Sequence, residues 1–377
     1  MKRARLRDVV AVAVATVAGC SDGFTPPPPD TPPDEAIATF VTAGGLPAVA
    51  VAVMDGGETL YTRVAGVRKQ GDPTPIGDGD AFHIGSNTKA MTALIAGTVV
   101  DAGQISWDST VGDVLGGVVT VPVARAGVTL AQLLSHTSGI PEIDAPTELA
   151  FNLSTEPADV QRRQIAEQTL ALPPGSTPGT TFFYSNVNYI VAGLMLEVAT
   201  GTTWELLLQE RLFTQLGMTG AGFGVPATAH TTDAPWGHDP NPLDPAVPDI
   251  APGFGPAGTV HASIGDLLPY LTMYMDGGVG PNGRIISEAS LTAIETPRLE
   301  HYGFGWTVGR FADGTLVMAH SGSNGSFFAH FILFPERRAA VVVMTNRGDL
   351  PSWDRAFQVV GYLVHHFGLP EKQPFVD

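Results

Sequence analysis

Strand-like segments crowd the two ends of this chain and leave its middle to helices. Near the start, "LPAVAVAVMDGGETLYTRVAGVRKQ" (46–70) reads as two short β-branched strands joined by a "DGGE" turn. Near the end, "YGFGWTVGRF", "TLVMAHSG", "FFAHFILFPE" and "AAVVVMTNRG" read as successive strands with turns between them, closed by a helix over "DRAFQVVGYLVHHFG". Between them, "TLAQLLSH", "VNYIVAGLMLEVATG", "TWELLLQERLFTQL" and "SIGDLLPYLTMYMDGG" carry helical patterns. Strands first, helices inserted, strands again imply an α/β (α+β) fold. Its antiparallel sheet is flanked by helices, built from both chain ends, with an inserted, mostly helical subdomain. Residues 225–256, rich in Pro, Gly and Ala, read as a long surface loop. No internal repeat is visible.

With 377 residues, 44% hydrophobic and 15% charged, the chain can bury a large core. One large domain or two closely packed subdomains would both suit that length. The net charge of −17 argues against a nucleic-acid or anionic-lipid surface.

The first residues read as a targeting signal. "MKRARLRD" is a basic n-region, and "VVAVAVATVA" is an apolar run shorter than the ~20 residues that span a bilayer. The run ends in "VAGC", and Cys20 is the only cysteine, which excludes an intramolecular disulfide and a cysteine metal cluster. "VAGC" resembles a bacterial lipobox. That resemblance implies a lipoprotein signal over 1–19, lipidation of Cys20 and a Pro-rich tether over 20–35, with the domain from 36 to 377. The expected location is then the cell envelope, lipid-anchored on the periplasmic side, with Ser21 after the cysteine favouring the outer membrane.

One lysine stands out. The chain holds only four (Lys2, Lys69, Lys89 and Lys372), and Lys89 falls inside "FHIGSNTKAMTALIAG", an apolar stretch whose spacing predicts a buried helix over 86–103. Gly85–Ser86 puts a hydroxyl at the helix start, where unpaired N–H groups and the helix dipole favour developing negative charge. Ser86 and Lys89 are three apart and share a face. A serine nucleophile needs a base, and burial lowers a lysine's pKa until it can accept a proton, which an arginine cannot do. On this pair alone, an N-capping Ser86 with a snorkelling Lys89 explains the sequence as well.

Two later segments change the balance. "FFYSNVNYI" carries Tyr184 and Asn186 two apart in extended chain, a phenol able to relay a proton and an amide able both to donate and to accept. "MAHSGSNG" puts His320, Ser321 and Gly322 at a strand end with small residues that admit a substrate backbone. In this order and spacing, Ser-x-x-Lys, Tyr-x-Asn and His-x-Gly resemble the serine β-lactamase and penicillin-binding-protein superfamily, especially its class C β-lactamase-like branch. "LLSHTSGIP", "PAGTVHASIGDLLPYL" and "HSGSNGSFFAHFILFPERRAAVVVMTNRG" also look like segments of that branch, over about 36–368.

The resemblance implies a Ser86 acyl-enzyme, with Lys89 and Tyr184 as proton-transfer partners and Asn186 positioning substrate and lysine. Which of Lys89 and Tyr184 is the acylation base stays open. It further implies an oxyanion hole from the N–H groups of Ser86 and Ser323, with no metal and no organic cofactor. His320 stands where classical members carry Lys, so no fixed cation awaits a substrate carboxylate. Ile143 falls about where class C enzymes place a Gln that contacts the substrate amide. Both departures point to ester or amide substrates, D-amino-acid or peptidoglycan-related ones included. The alternatives are a β-lactamase or D-Ala-D-Ala carboxypeptidase, or a penicillin sensor that does not turn over. The expected partners are a small-molecule or peptide substrate and, through the anchor, the membrane.

His136 in "LLSHTSG" reads as structural. His365 and His366, adjacent on a helix, diverge too much for a metal site, and Asp78 and Asp80 in "GDGD" suit a turn without the rest of a calcium loop.

Overall fold

The computed structural model describes residues 23–371 and 373–376. The leader expected at 1–19, the lipidation site Cys20 and Ser21 lie outside the described residues. Both strand-rich ends meet in one sheet. Strands β1 (Ala48–Asp55) and β2 (Glu58–Gly66) come from the front of the chain. Strands β3 (Thr307–Phe311), β4 (Leu316–Ser323), β5 (Phe328–Phe334), β6 (Ala339–Thr345) and β7 (Phe375–Val376) come from the back. Their order is β7-β3-β4-β5-β6-β1-β2. The seam is β1 against β6, antiparallel, with Val49 opposite Thr345 and Val53 opposite Val341.

The helices that frame the site are α1 (Pro33–Thr42), α2 (Thr88–Asp101), α3 (Ala158–Leu170), α4 (Asn186–Thr200) and α5 (Leu350–His366). "AVAVAVMD" explains how they are layered. Alternate side chains of a strand face opposite sides. Val49, Val51 and Val53 join Ile37 and Phe40 of α1 and Val359 and Leu363 of α5 in one cluster. Each such buried valine stabilises the fold by about 1.5–3 kcal/mol relative to leaving it exposed. Ala48, Ala50 and Ala52 face the other cluster, with Met91, Leu94 and Ile95 of α2. Small residues on that face leave room for α2, which is buried along most of its length.

Three features differ from the sequence reading. Residues 225–256 are not merely a surface loop. Trp236, Gly237 and His238 are buried, and the segment runs into a short helix, Gly255–Gly258, against α2 and α4. Aromatic anchors such as Trp236 and Phe254 pull it inward, and α3 fastens it. Gln161 accepts from Gly253 N at 3.1 Å, while the fully buried Arg162 pairs with Glu197 and Glu205, each at 2.7 Å. The described part of the Pro-rich tether is held as well. Phe24 lies 5.7 Å from the Phe40 ring and 3.6 Å from the Arg355 guanidinium, and the carbonyls of Pro29 and Thr31 accept bonds from α5. Finally, a three-stranded sheet of Phe82–His83, Val260–Ala262 and Gly222–Phe223 has strands too short for any periodicity to reveal.

Candidate active site

The turn before α2 is shaped by glycine. Gly85 has φ +53°, the left-handed region that side chains disfavour, and it opens a single 3-10 turn, Gly85–Asn87. Ser86 emerges partly exposed from this turn, while Asn87, Thr88 and Lys89 are buried. Lys89 has no exposure at all. Its Nζ lies 2.9 Å from Ser86 Oγ, 2.8 Å from Asn186 Oδ1 and 2.7 Å from the Ala257 carbonyl oxygen. Burial brings the ammonium down to about 7, against the opposing pull of the Glu142 carboxylate. The residue is therefore poised between charge states near neutral pH.

Tyr184 and Asn186 reach the same amine from the start of α4. Ser185 between them is extended (φ −147°, ψ 131°), so both side chains turn to one side, as their spacing suggested. The Tyr184 ring centroid lies 4.9 Å from Lys89 Nζ. Behind it the His136 ring packs at 4.3 Å, its Nδ1 accepting from Ser185 N at 3.3 Å. His136 is buried and its pKa falls well below 6.5, mainly through burial, so it is a neutral prop. Burial also pushes the Tyr184 phenol above its ordinary range, partly offset by its interaction with the Ser86 side chain.

One neighbour escaped the sequence reading. Glu142 Oε2 accepts from Asn186 N at 2.6 Å, at the N-terminus of α4, and it is the carboxylate that Lys89 feels. Ile143 beside it is a core side chain, 8% exposed, so the glutamate rather than the isoleucine lies by the lysine and asparagine. Its signal was faint: an acid after "GIP", in no recognisable spacing to Lys89.

The end of β4 forms the opposite wall. A Cβ placed on Gly322 would sit 2.0 Å from the Ile84 carbonyl oxygen and 2.5 Å from Ser86 N. One on Gly85 would sit 2.2 Å from Ser323 N. The two backbones are thus pressed together, which brings the amides of Ser86 and Ser323 to one place. His320 is 6% exposed and fully engaged: Nδ1 donates to the Ser321 carbonyl at 2.7 Å, so Nε2 accepts from Tyr302 Oη at 3.1 Å. Burial, then the charge of Lys89, brings it down to about 3. It is a neutral wall residue whose nitrogens are already satisfied within the protein, and it presents neither a cation nor a free N–H to a ligand.

Beyond Ser323 a cavity of about 230 Å³ is lined by Glu148 and Asn152, by Asp249 and Ile250, and by Asn324 and Ser326. The remaining candidates stand apart. His365 contacts Glu371 at 2.6 Å and His366 the Pro29 carbonyl at 3.0 Å. Asp80 closes its turn by accepting from Gly77 N at 2.8 Å while pairing with Arg68. Among the described residues no group of three or more His, Cys, Asp or Glu is placed to hold a metal ion.

Comparison with known proteins places this geometry in context. A family model described as Beta-lactamase matches residues 33–362. Penicillin-binding protein 4 of Amycolatopsis lactamdurans is 30% identical over 329 residues, covering 82% of this chain and 83% of that protein. The D-amino acid amidase of Ochrobactrum anthropi SV3 superposes with a TM-score of 0.72, covering 89% of this chain and 99% of that one. At 20% identity that likeness shows the fold alone. The octameric penicillin-binding protein homologue of Pyrococcus abyssi superposes with a TM-score of 0.71 at 25% identity, covering 89% and 77%.

Proposed function

The chain belongs to the beta-lactamase family, and from that premise we propose that it is a class C-like serine hydrolase of esters or amides, with Ser86 as nucleophile. The observation that carries the reading is Lys89, without exposure, its Nζ 2.9 Å from Ser86 Oγ and near its titration point at neutral pH. Ser86 Oγ attacks the substrate carbonyl carbon, and its proton passes to the neutral Lys89 amine. General-base help of this kind is worth about 10²–10⁴-fold. With the Tyr184 phenol held protonated by burial, Lys89 is the better acceptor in acylation. The Ser86 and Ser323 N–H groups receive the oxyanion. Collapse expels the alcohol or amine, which takes the proton back through Lys89 and Tyr184. Water then attacks the acyl carbon and restores Ser86.

A neutral His320 with both nitrogens satisfied offers nothing to a substrate carboxylate. Neutral esters and amides, D-amino-acid derivatives among them, therefore fit better than β-lactams. The penicillin-binding name of the Amycolatopsis relative favours the second reading, a slow penicillin acylator or carboxypeptidase. A panel of p-nitrophenyl esters, D-amino-acid amides, D-Ala-D-Ala peptides and nitrocefin, run beside a fluorophosphonate probe and Ser86→Ala, separates them. Short esters should be hydrolysed far faster than nitrocefin, with labelling lost in Ser86→Ala. A preference for nitrocefin would overturn the substrate assignment, and labelling that survives Ser86→Ala would overturn the nucleophile.

We also propose that Cys20 in "VAGC" is lipidated and tethers the domain in the cell envelope. Radioactive fatty acid should label the wild type in a bacterial host and leave Cys20→Ser unlabelled; equal label in both sinks the anchor.

A further inference from the structure

We infer that Asp249 is a positioning residue whose carboxylate clasps the loop lining the cavity beyond Ser323 to both walls of the oxyanion site, facing His83 on one side and accepting from Asn324 on the other. The inference rests on the acyl-enzyme reading for its kinetic consequence, but its geometry is independent of it.

His83 sits two residues before Gly85 and has no exposure. Its Nδ1 accepts from Gly85 N at 3.1 Å, so the ring proton belongs on Nε2. Nε2 faces Asp249 Oδ2 at 3.5 Å, a charge contact and not a hydrogen bond, and neither atom has a hydrogen-bond partner among the described residues. A buried imidazole N–H without any acceptor would be costly, and the carboxylate is what faces it. The other oxygen, Asp249 Oδ1, accepts from Asn324 Nδ2 at 2.9 Å. The orientation of that amide is set by its own turn, since Asn324 Oδ1 accepts from Ser326 N at 3.1 Å and Phe327 N at 2.8 Å.

Gly85 and Asn324 each adjoin one of the two amides: Gly85 precedes Ser86, and Asn324 follows Ser323. One carboxylate therefore faces the histidine behind one amide, accepts from the asparagine beside the other, and lines the cavity beyond Ser323. Nothing in the spacing of His83, Asp249 and Asn324 along the chain announces this. Its consequence is that occupancy of the cavity beyond Ser323 and alignment of the two amides are coupled through a residue that need not touch the reacting atoms.

The test uses the full chain with 15N-labelled serine and histidine, comparing wild type, Asp249→Asn and Asp249→Ser. Asn keeps an acceptor for Asn324 but presents an N–H group to His83; Ser shortens the reach to both, and serves if the first variant does not fold. The amide resonances of Ser86 and Ser323 should both move, together with the His83 ring nitrogens. For the preferred p-nitrophenyl ester, kcat should fall about tenfold or more, with KM within about twofold, since loss of oxyanion alignment acts on the transition state. Affinity for a boronic acid, which mimics the tetrahedral adduct, should fall by the same factor as kcat/KM. Unmoved Ser86 and Ser323 amides in a folded variant would overturn the clasp, and so would a rise in KM with kcat unchanged. A wild type that shows no Ser86-dependent fluorophosphonate label would defeat the hydrolase reading alone, and the serine amide shifts would still decide the clasp.

Discussion

A lysine with no exposure and three oxygen neighbours cannot keep its proton as a surface lysine does, and this one property links residue chemistry to pH. Burial lowers Lys89 to about 7, while the Glu142 carboxylate works in the other direction. The titratable groups around it are Glu142, Tyr184, Tyr189, His136 and His320. Burial keeps both tyrosines protonated and both histidines neutral near pH 7, and the charge opposing it is that of the Glu142 carboxylate, whose own pKa burial raises. If neutral Lys89 is the acceptor, kcat/KM rises with pH through about 7 as its proton leaves. Glu142→Gln removes the charge that favours the ammonium, so its acid limb should move to lower pH. Rate profiles from pH 5 to 9 read this directly. A wild-type rate that falls through pH 7 would mean that the cationic lysine acts instead. The Ser86–Lys89 pair was legible because three residues on a helix are neighbours whatever surrounds them. Glu142 was not, because its influence depends on a loop that meets α4 only in the folded chain.

At the scale of elements, the site is a junction between a turn and a strand. Gly85 and Gly322 are where β4 and the start of α2 touch, and the lack of a side chain at each is what allows it. Gly322→Ala places a methyl 2.0 Å from the Ile84 carbonyl oxygen and 2.5 Å from Ser86 N, so one backbone must retreat. We expect kcat/KM to drop about 10²–10³-fold, the scale of losing one oxyanion donor, with secondary structure intact by circular dichroism. An unchanged rate of fluorophosphonate labelling would contradict this. The long strands were readable because alternation and β-branching persist over seven or eight residues, as in "AVAVAVMD" and "AAVVVMT". The two- and three-residue strands gave no such run. Arg162 lies in the polar run "ADVQRRQIAEQTL", yet it is fully buried between Glu197 and Glu205. Only partners 35 and 43 residues away make that burial tolerable.

Across the whole molecule, the two chain ends are joined by β1 against β6 and, further out, by the segment before α1 against α5. The second junction is testable. A chain starting at residue 33 loses the Phe24–Phe40 and Phe24–Arg355 contacts and the bonds from α5 to Pro29 and Thr31. Relative to a chain starting at residue 23, its melting temperature should fall by about 1–3 °C, given contacts worth ~1–2 kcal/mol. Equal thermal melts would show that this segment adds nothing. Closure of the sheet from both ends was legible in the distribution of strand patterns, and so was a hydroxyl one helical turn from a lysine. Both are local or statistical properties of the chain. The coordination of Lys89 by Ala257, the bonding of both His320 nitrogens, the entry of Glu142 and the reach of Asp249 to His83 and Asn324 were decided only by the tertiary structure. Burial and proximity between distant segments set charge state and hydrogen bonding, and neither is encoded at the position where it acts.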